Sequence, residues 1–451
     1  MKVHFVGIGG IGVSALAQYY SAKGHQVSAS DLVSSEITDA LKKKGAKLLI
    51  GKHKAKNLLK DVDLVLYSLA VQPDNAELKK ARKIGIKIQS YPEALGELTR
   101  KYFTIAVSGT HGKSTSAAMV ALILIKAGLN PTVIVGTKLK EFGDSNCRVG
   151  KSKYLVIEAD EWQASFLNYW PKIIVLTNIE KEHLDFYKNL NDILKTYKKY
   201  IGHLSKDGVL VANSDDLNNR KIIRDQISFG YPISLYWLNQ RGTKKLKEIL
   251  KIPGEHNVYN ALAALTVARI LKIPDKVSFK ALSEYKGSWR RFEVKKIKLT
   301  NNLKPKTCTL ISDYAHHPTE IEATLKAARE KFPRKEIWCV FQPHQYQRTY
   351  YLFADFVKVF KEAPIDRLII TDIYDVAGRE EKKIKEKVSS EKLIKAINKP
   401  PAVYRAHKNL CAAVYIPTIK KAADYLKKNL QGGEVVIIMG AGDIYKLCEQ
   451  L

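Results

Sequence analysis

The chain has 451 residues, room for about three domains at ~150 residues each, and its 75 Lys and Arg against 45 Asp and Glu give a net charge of +30. A 45% hydrophobic and 27% charged composition excludes a disordered chain. No apolar run approaches the ~20 residues of a membrane span. Five scattered cysteines (Cys147, Cys308, Cys339, Cys411, Cys448) with no Cys-x-x-Cys spacing exclude a disulfide framework and a thiolate zinc site. Met1-Lys2 runs straight into a strand with no signal-peptide pattern, so the expected location is the cytoplasm, without membrane insertion. Lysine is spread over nearly every expected helix and no nucleic-acid-binding motif accompanies it. The basic balance therefore reads as a solvated surface whose field attracts anionic, phosphorylated substrates, not as a nucleic-acid partner.

The expected elements alternate strand and helix from the start, which predicts right-handed βαβ units and an α/β fold. KVHFVGI is a strand followed by a helix through Ala22; HQVSASD, LVLYSLA and KIQS are further strands. Between the first strand and its helix, Gly7, Gly9 and Gly12 satisfy G-x-G-x-x-G, with Gly10 and Ile11 inside it, and this loop suits a pyrophosphate at a helix N-terminus. Asp31, closing the second strand, and Ser68, within the third, are the candidates for the ribose and base side of that nucleotide.

A second region begins near residue 101 with FTIAVSGTHGKSTSAAMVALILIKAG, a strand, a Gly-containing loop and a long apolar helix. The first glycine of a standard Walker loop would fall on Val107, so this is a shortened G-x-x-G-K-S loop. Gly109, Thr110, His111 and Gly112 supply its backbone, Lys113 reaches the β- and γ-phosphates, and Ser114, followed by Thr115, offers an oxygen to Mg²⁺. YLVIEADE then delivers Glu158, Asp160 and Glu161 at the end of a buried strand, where ligands of open α/β sheets bind. KIIVLTN is a further buried strand, with His183 and Asp185 in the loop that follows it; GVLVANSDD and the helix HNVYNALAALTVARIL come next. The third region follows GSWRRFE, with strands at CTLISDYA, EIWCVFQ, RLIITDIY and EVVIIMG. The expected division is 1–100, 101–291 and 292–451.

The ordered strings GTHGKST, EADE, TNIEKEHLDFY and PGEHNVYNALAA, with GIGGIG before them and DYAHHPTEIEAT and FQPHQYQRT after, resemble the ATP-dependent Mur ligases of peptidoglycan synthesis along essentially the whole chain. Within that family they are most similar to the alanine-adding branch. The resemblance implies three domains: an N-terminal Rossmann-like domain for the UDP substrate, a central P-loop ATPase domain, and a C-terminal Rossmann-like domain for the amino acid. It implies that ATP phosphorylates the lactyl carboxylate of UDP-N-acetylmuramate and that the amine of L-alanine displaces phosphate. Lys113 and Mg²⁺ on Ser114 and Glu158 would stabilise the transferring phosphoryl group, and a second Mg²⁺ on Glu158 and His183 would hold the acceptor. Closure of the C-terminal domain over the central one would exclude water from the acyl phosphate. By the same resemblance, His256, Asn257 and Asn260 contact adenine, and Arg290 and Arg291 are suited to grip phosphate or carboxylate. Tyr314, His316 and Arg348 lie on the amino-acid side, with His344 and Arg348 near the reaction centre. His316 and His317 are adjacent and so are not expected to share one metal. The expected assembly is a monomer or homodimer.

Several residues depart from the family pattern. Gln345 stands where relatives usually carry arginine, Trp162 and Gln163 follow EADE where smaller or acidic residues are common, and the stretch from Phe229 to Pro253 is short. Lys198 falls at the spacing of a carbamylated lysine found in several Mur ligases, but reads as a surface lysine. A dehydrogenase would explain the glycine fingerprint and Asp31 but not the phosphate loop, and a nucleic-acid-binding ATPase would leave the first and third regions unexplained. The nearer rivals are a ligase adding a tripeptide in murein recycling, or one adding glycine or serine.

Overall fold

The computed structural model describes residues 1–43, 45–228, 234–237, 242–301, 304–376, 382–400 and 412–451. The chain forms two compact units. One holds Met1–Glu180, Asn191–Ile249 and Tyr259–Tyr285; the other holds Lys181–Leu190, Leu250–Val258 and Lys286–Leu451.

The first unit contains two sheets. Strands β1 (Lys2–Val6), β2 (Gln26–Asp31), β3 (Lys47–Ile50), β4 (Leu64–Tyr67) and β5 (Lys87–Ser90) form an all-parallel sheet in the order β3-β2-β1-β4-β5. That order reverses at β1, so a crevice opens beyond the carboxyl ends of β1 and β4, and the GIGGIG loop leaves β1 at that point. Helices α1 (Ile11–Ala22), α2 (Glu36–Lys43), α3 (Ala76–Lys83) and α4 (Tyr91–Lys101) complete this layer. Local chemistry sets their starts: Asn75 caps α3, and Ser90 and Glu93 form a reciprocal capping box with Pro92 in the first turn of α4.

The second sheet runs β12-β11-β10-β6-β9-β7-β8, from β6 (Phe103–Ser108), β7 (Thr132–Leu139), β8 (Ser145–Arg148), β9 (Tyr154–Glu158), β10 (Ile173–Leu176), β11 (Val209–Ala212) and β12 (Ser234–Trp237). Only the edge pair β7–β8 is antiparallel. Helix α5 (Lys113–Lys126) is buried on nearly every side, as its continuous apolar sequence demands. Helices α6 (Leu190–Ile201), α7 (Leu217–Ser228), α8 (Thr243–Ile249), α9 (Glu255–Ile270) and α10 (Asp275–Glu284) follow. Part of the short stretch from Phe229 to Pro253 lies outside the described residues, as does Cys411; Cys147, Cys308, Cys339 and Cys448 are free thiols.

The second unit carries the sheet β13-β14-β18-β15-β16-β17, built from β13 (Glu293–Asn301), β14 (Lys304–Asp313), β15 (Ile337–Phe341), β16 (Arg367–Ile370), β17 (Ala412–Tyr415) and β18 (Val435–Met439). Helices α11 (Pro318–Lys331) and α12 (Tyr346–Tyr351) each follow a strand end of this sheet. All pairs are parallel except the hairpin β13–β14. The core is aliphatic and aromatic, centred on Ile311, Ile337, Phe341, Phe356, Leu368 and Ile437. Edge strands β3, β8, β12, β13 and β17 are absent from the sequence reading, as is β7, the inner neighbour of β8. The buried central strands announce themselves as continuous apolar runs; the edges are short or lysine-laced and carry no such signal.

Candidate active site

In the first unit the phosphate loop is shaped by two glycines. Gly109 (φ 125) and Gly112 (φ 82) are left-handed, and a Cβ on them would stand 2.1 Å from Thr177 Oγ1 and 2.3 Å from Asn260 Oδ1. The loop is strapped to the segment after β10: Asn178 O accepts from Thr110 N at 2.9 Å and Asn178 Oδ1 from His111 N at 2.8 Å. Thr177 Oγ1 donates to His111 O at 2.6 Å, and Glu180 N donates to Thr110 Oγ1 at 2.8 Å. Helix α5 therefore starts at Lys113 with its first amides directed out of the loop, an anion site.

Lys113 Nζ donates to Gly109 O at 2.7 Å and to Glu161 Oε2 at 3.0 Å. Burial disfavours its charge, but Glu161, Asp160 and Glu158 outweigh that and raise it above the ordinary lysine range, so it stays an ammonium. Ser114 Oγ donates to Glu158 Oε2 at 3.0 Å, and Gly136 N donates to Glu158 Oε1 at 2.5 Å. A hydroxyl in the first turn of α5 and a carboxylate at the end of β9, in contact with each other, are a fitting hard-oxygen donor set for Mg²⁺. Thr115 is buried in the first turn of α5. Asn260 faces the loop itself, its Oδ1 accepting from Ser116 Oγ at 3.1 Å beside Gly112. Lys198 is ion-paired with Asp225.

The glycine loop after β1 is held from β2. Ser30 O accepts from Gly7 N at 2.9 Å and Ile8 N at 3.2 Å, and Asp31 Oδ2 accepts from Gly9 N at 2.7 Å. Gly10 is the N-cap of α1, with no side chain satisfying the first amides, which begin at Ile11 and Gly12. A Cβ on Gly12 would stand 2.7 Å from the Tyr91 ring. Ser68 hydrogen-bonds to Val6 O directly after β4, with its hydroxyl toward Gly10. Edge strand β8 is tied to α1: Asn146 Nδ2 donates to Ile11 O and to Ser14 Oγ, and Gln18 Nε2 donates to Asn146 Oδ1 at 2.7 Å.

In the second unit, His183 has φ 54, a left-handed backbone that a non-glycine residue adopts at a cost of ~1–3 kcal/mol. Its N–H donates to Glu182 Oε1 at 3.0 Å, and its carbonyl accepts from Phe186 N and Tyr187 N, both at 2.9 Å. Glu182 Oε1 also accepts from Arg348 Nε at 3.0 Å and Nη2 at 2.7 Å. Burial pushes the Glu182 carboxyl up, but Arg348 and the histidines 183, 317 and 316 hold it well below the usual range. Arg348 Nη1 donates to His344 O at 2.8 Å, and the His344 ring stacks on Tyr374 at 5.4 Å. Gln345 caps α12 at φ 74 and is 3% exposed, so this departure from the family pattern faces inward.

His316 Nδ1 lies 3.1 Å from Glu320 Oε2, with its ring 5.3 Å from Tyr314 and 6.0 Å from His344. His317 points away as the N-cap of α11, its Nε2 3.2 Å from Lys181 O. Arg291 is partly exposed, its guanidinium 4.9 Å above the Tyr314 ring. Arg290 is 4% exposed, bonded to Gly440 O and Gly442 O and enclosed by Trp289, Tyr314 and Tyr445, so it braces the fold. His256 is pushed down to about 4 by burial, and Asn257 Nδ2 donates to Pro253 O at 2.7 Å. The sequence reading misses Thr177, Asn178, Gly136 and Glu182. Only the polar Thr-Asn pair immediately after an apolar strand carried a local signal.

Three family profiles match in succession: "Mur ligase family, catalytic domain" over residues 2–103, "Mur ligase middle domain" over 107–268, and "Mur ligase, glutamate ligase domain" over 290–442. The UDP-N-acetylmuramate–L-alanine ligase of Acetivibrio thermocellus is 41% identical over 99% of this chain and 94% of its own length. The chain belongs to the Mur ligase family. The enzyme of the same description from Clostridium acetobutylicum is 40% identical over 99% of this chain and 96% of its own. Among solved structures, the UDP-N-acetylmuramate–alanine ligase of Thermotoga maritima aligns with a TM-score of 0.76 at 26% identity, covering 100% of this chain and 99% of that one. A murein peptide ligase from Psychrobacter arcticus shares the fold at a TM-score of 0.72 and 21% identity, over 100% and 98% of the two chains. This Mur ligase thus has the three-part α/β architecture of its family, and no helix among the described residues is long and apolar enough to cross a membrane.

Proposed function

We propose that this Mur ligase joins L-alanine to the lactyl carboxylate of UDP-N-acetylmuramate, with ATP converted to ADP and phosphate, in the cytoplasm. The observation that carries this reading is end-to-end identity of about 40% with curated relatives of that activity, together with a phosphate loop whose ammonium, hydroxyl and carboxylate are already assembled. In the proposed division of labour, residues 1–100 bind UDP on Gly7, Gly9, Gly10, Ile11 and Gly12, with Asp31 and Ser68 alongside. Residues 101–291 bind ATP, and residues 292–451 receive the amino acid.

The γ-phosphoryl group passes from ATP to a lactyl oxygen, ADP departs, and the alanine amine then attacks the acyl carbon, forming the amide and releasing phosphate and a proton. The Gly109–Gly112 amides and Lys113 hold the phosphates in line and balance the charge that accumulates between two anions. Ser114 and Glu158 would hold Mg²⁺, with His183 a ligand for a second ion; the metal supplies Lewis-acid charge neutralisation when bound. Arg348 fixes Glu182, and Glu182 fixes the strained turn that presents His183. Tyr314, His316 and His344 form a ring-lined surface for the incoming amino acid.

The deciding experiment measures phosphate release with ATP, Mg²⁺ and UDP-N-acetylmuramate against L-alanine, glycine, L-serine and a murein tripeptide. Release is expected with L-alanine foremost. Release with the tripeptide alone overturns the assignment.

A further inference from the structure

The N-terminal sheet buries a carboxylate that the proposed reaction does not use. Glu77, in the first turn of α3, is 0% exposed, as is His4 on central strand β1. Both Glu77 oxygens are occupied. Oε2 meets His4 Nε2 at 2.8 Å and accepts from Ser30 Oγ at 2.7 Å; Oε1 meets His53 Nδ1 at 2.9 Å and accepts from Asn57 Nδ2 at 2.8 Å. His4 Nδ1 lies 2.8 Å from Ser28 Oγ. Burial pushes the Glu77 carboxyl up, and these four hydrogen bonds outweigh it and hold it down at about 2.

A buried anion is a costly way to fill a core, and apolar residues of similar volume do it as well or better. What this cluster achieves is local. Ser30 belongs to two networks at once: its hydroxyl donates to Glu77, and its carbonyl accepts from Gly7 N and Ile8 N. Asp31, the next residue, takes Gly9 N. The end of β2 therefore holds three successive amides of the glycine loop, and Glu77 locks the residue that holds two of them. A carboxylate suits this place: Ser30 Oγ donates to one oxygen and Asn57 Nδ2 to the other, each beside a histidine nitrogen, and a glutamine would turn an NH₂ toward one of those donors.

We propose that Glu77 is a positioning residue for the nucleotide-diphosphate site, fixing Ser30 and, through its carbonyl, the Gly7–Ile8 turn that presents the α1 N-terminus to the diphosphate of the sugar nucleotide. This rests on the assignment of Gly7–Gly12 to UDP.

The test compares full-length wild type with Glu77→Gln, Ser30→Ala and Gly10→Ala by steady-state kinetics, by calorimetric titration with UDP-N-acetylmuramate and separately with ADP, and by thermal melting. A Cβ on Gly10 meets nothing closer than 3.7 Å, so that variant keeps the fold while crowding the ligand. Glu77→Gln is expected to raise the KM and Kd for UDP-N-acetylmuramate about tenfold, the worth of roughly one charge-assisted hydrogen bond. Its kcat and its ADP affinity stay unchanged. Ser30→Ala, which deletes only the linking hydroxyl, moves the same constant in the same direction and decides the matter should Glu77→Gln fail to fold. A raised KM in Gly10→Ala with unchanged sugar-nucleotide binding in Glu77→Gln and Ser30→Ala overturns the role of Glu77 while the UDP assignment stands. No change in Gly10→Ala overturns both. Equal weakening of ADP and sugar nucleotide also overturns the proposal, since a general loss of structure would do that.

Discussion

Lys113 and Glu161 form an ion pair of 3.0 Å, with the two side chains only 15% and 2% exposed. On the proposed reading the phosphates of ATP take the same ammonium, so nucleotide binding would exchange one anion for another at Lys113. Glu161→Gln leaves the buried ammonium without its closest counter-charge, which costs on the order of 3 kcal/mol in the nucleotide-free protein. The melting temperature of this variant is expected to fall, and a non-hydrolysable ATP analogue with Mg²⁺ to restore more of it than the same analogue adds to wild type. Equal shifts in both proteins would show that phosphate and Glu161 do not compete. Lys113→Ala is expected to lower kcat by a factor of ~10² or more.

Glu158 accepts from both Ser114 Oγ and Gly136 N, so its carboxylate is held in a fixed orientation by the protein itself. Glu158→Gln keeps these contacts in shape but removes a charge. It should raise the Mg²⁺ concentration for half-maximal activity about tenfold or more and lower kcat. Ser114→Ala is expected to shift the same Mg²⁺ curve less. A wild-type Mg²⁺ curve in Glu158→Gln would place the metal elsewhere.

Arg348 reaches Glu182 through both Nε and Nη2, a fork that lysine cannot reproduce. Arg348→Ala strands a buried carboxylate and should cost ~3–5 kcal/mol by chemical denaturation. Replacing both residues, as Glu182→Gln with Arg348→Ala, should cost less than Arg348→Ala alone. An additive double mutant would refute the pairing.

His256 is held neutral by burial, pushed from 6.5 down to about 4. A histidine whose folded value is depressed contributes stability that is fully present above the unfolded value, near 6.5, and is lost as pH falls toward 4. Between pH 7 and pH 5 this group alone should remove about 2 kcal/mol. His256→Gln should flatten that part of the stability profile, as measured by urea unfolding at the two pH values.

The phosphate loop was legible because its chemistry is local: two glycines, a lysine and a serine between a strand and an apolar helix can be read without tertiary information. Glu158 was legible for a similar reason, since a carboxylate at the end of a buried strand has one place to go. The Glu182–Arg348 pair was not, because the partners are 166 residues apart in sequence and nothing local announces the contact. The Arg290–Arg291 doublet shows a different limit. Both looked suited to an anion, but consecutive residues diverge, and only packing among Trp289, Tyr314 and Tyr445 decides that Arg290 turns inward. Of the β13–β14 hairpin, β14 announced itself as CTLISDYA, whereas β13 escaped notice because its lysine-laced sequence lacks an unbroken apolar run.

The acids that this fold withdraws from water include Glu77, Glu161, Glu182, Asp313 and Glu434, whereas of the lysines and arginines among the described residues only Arg290 and Arg348 are comparably enclosed. Those seven residues sum to a formal charge of −3, so the rest of the chain, its solvent-facing shell included, carries more positive charge than the +30 of the whole sequence conveys. Such a shell acts at a distance, concentrating polyanionic metabolites around the protein before any contact is made, and added salt would weaken that capture without altering the chemistry that follows.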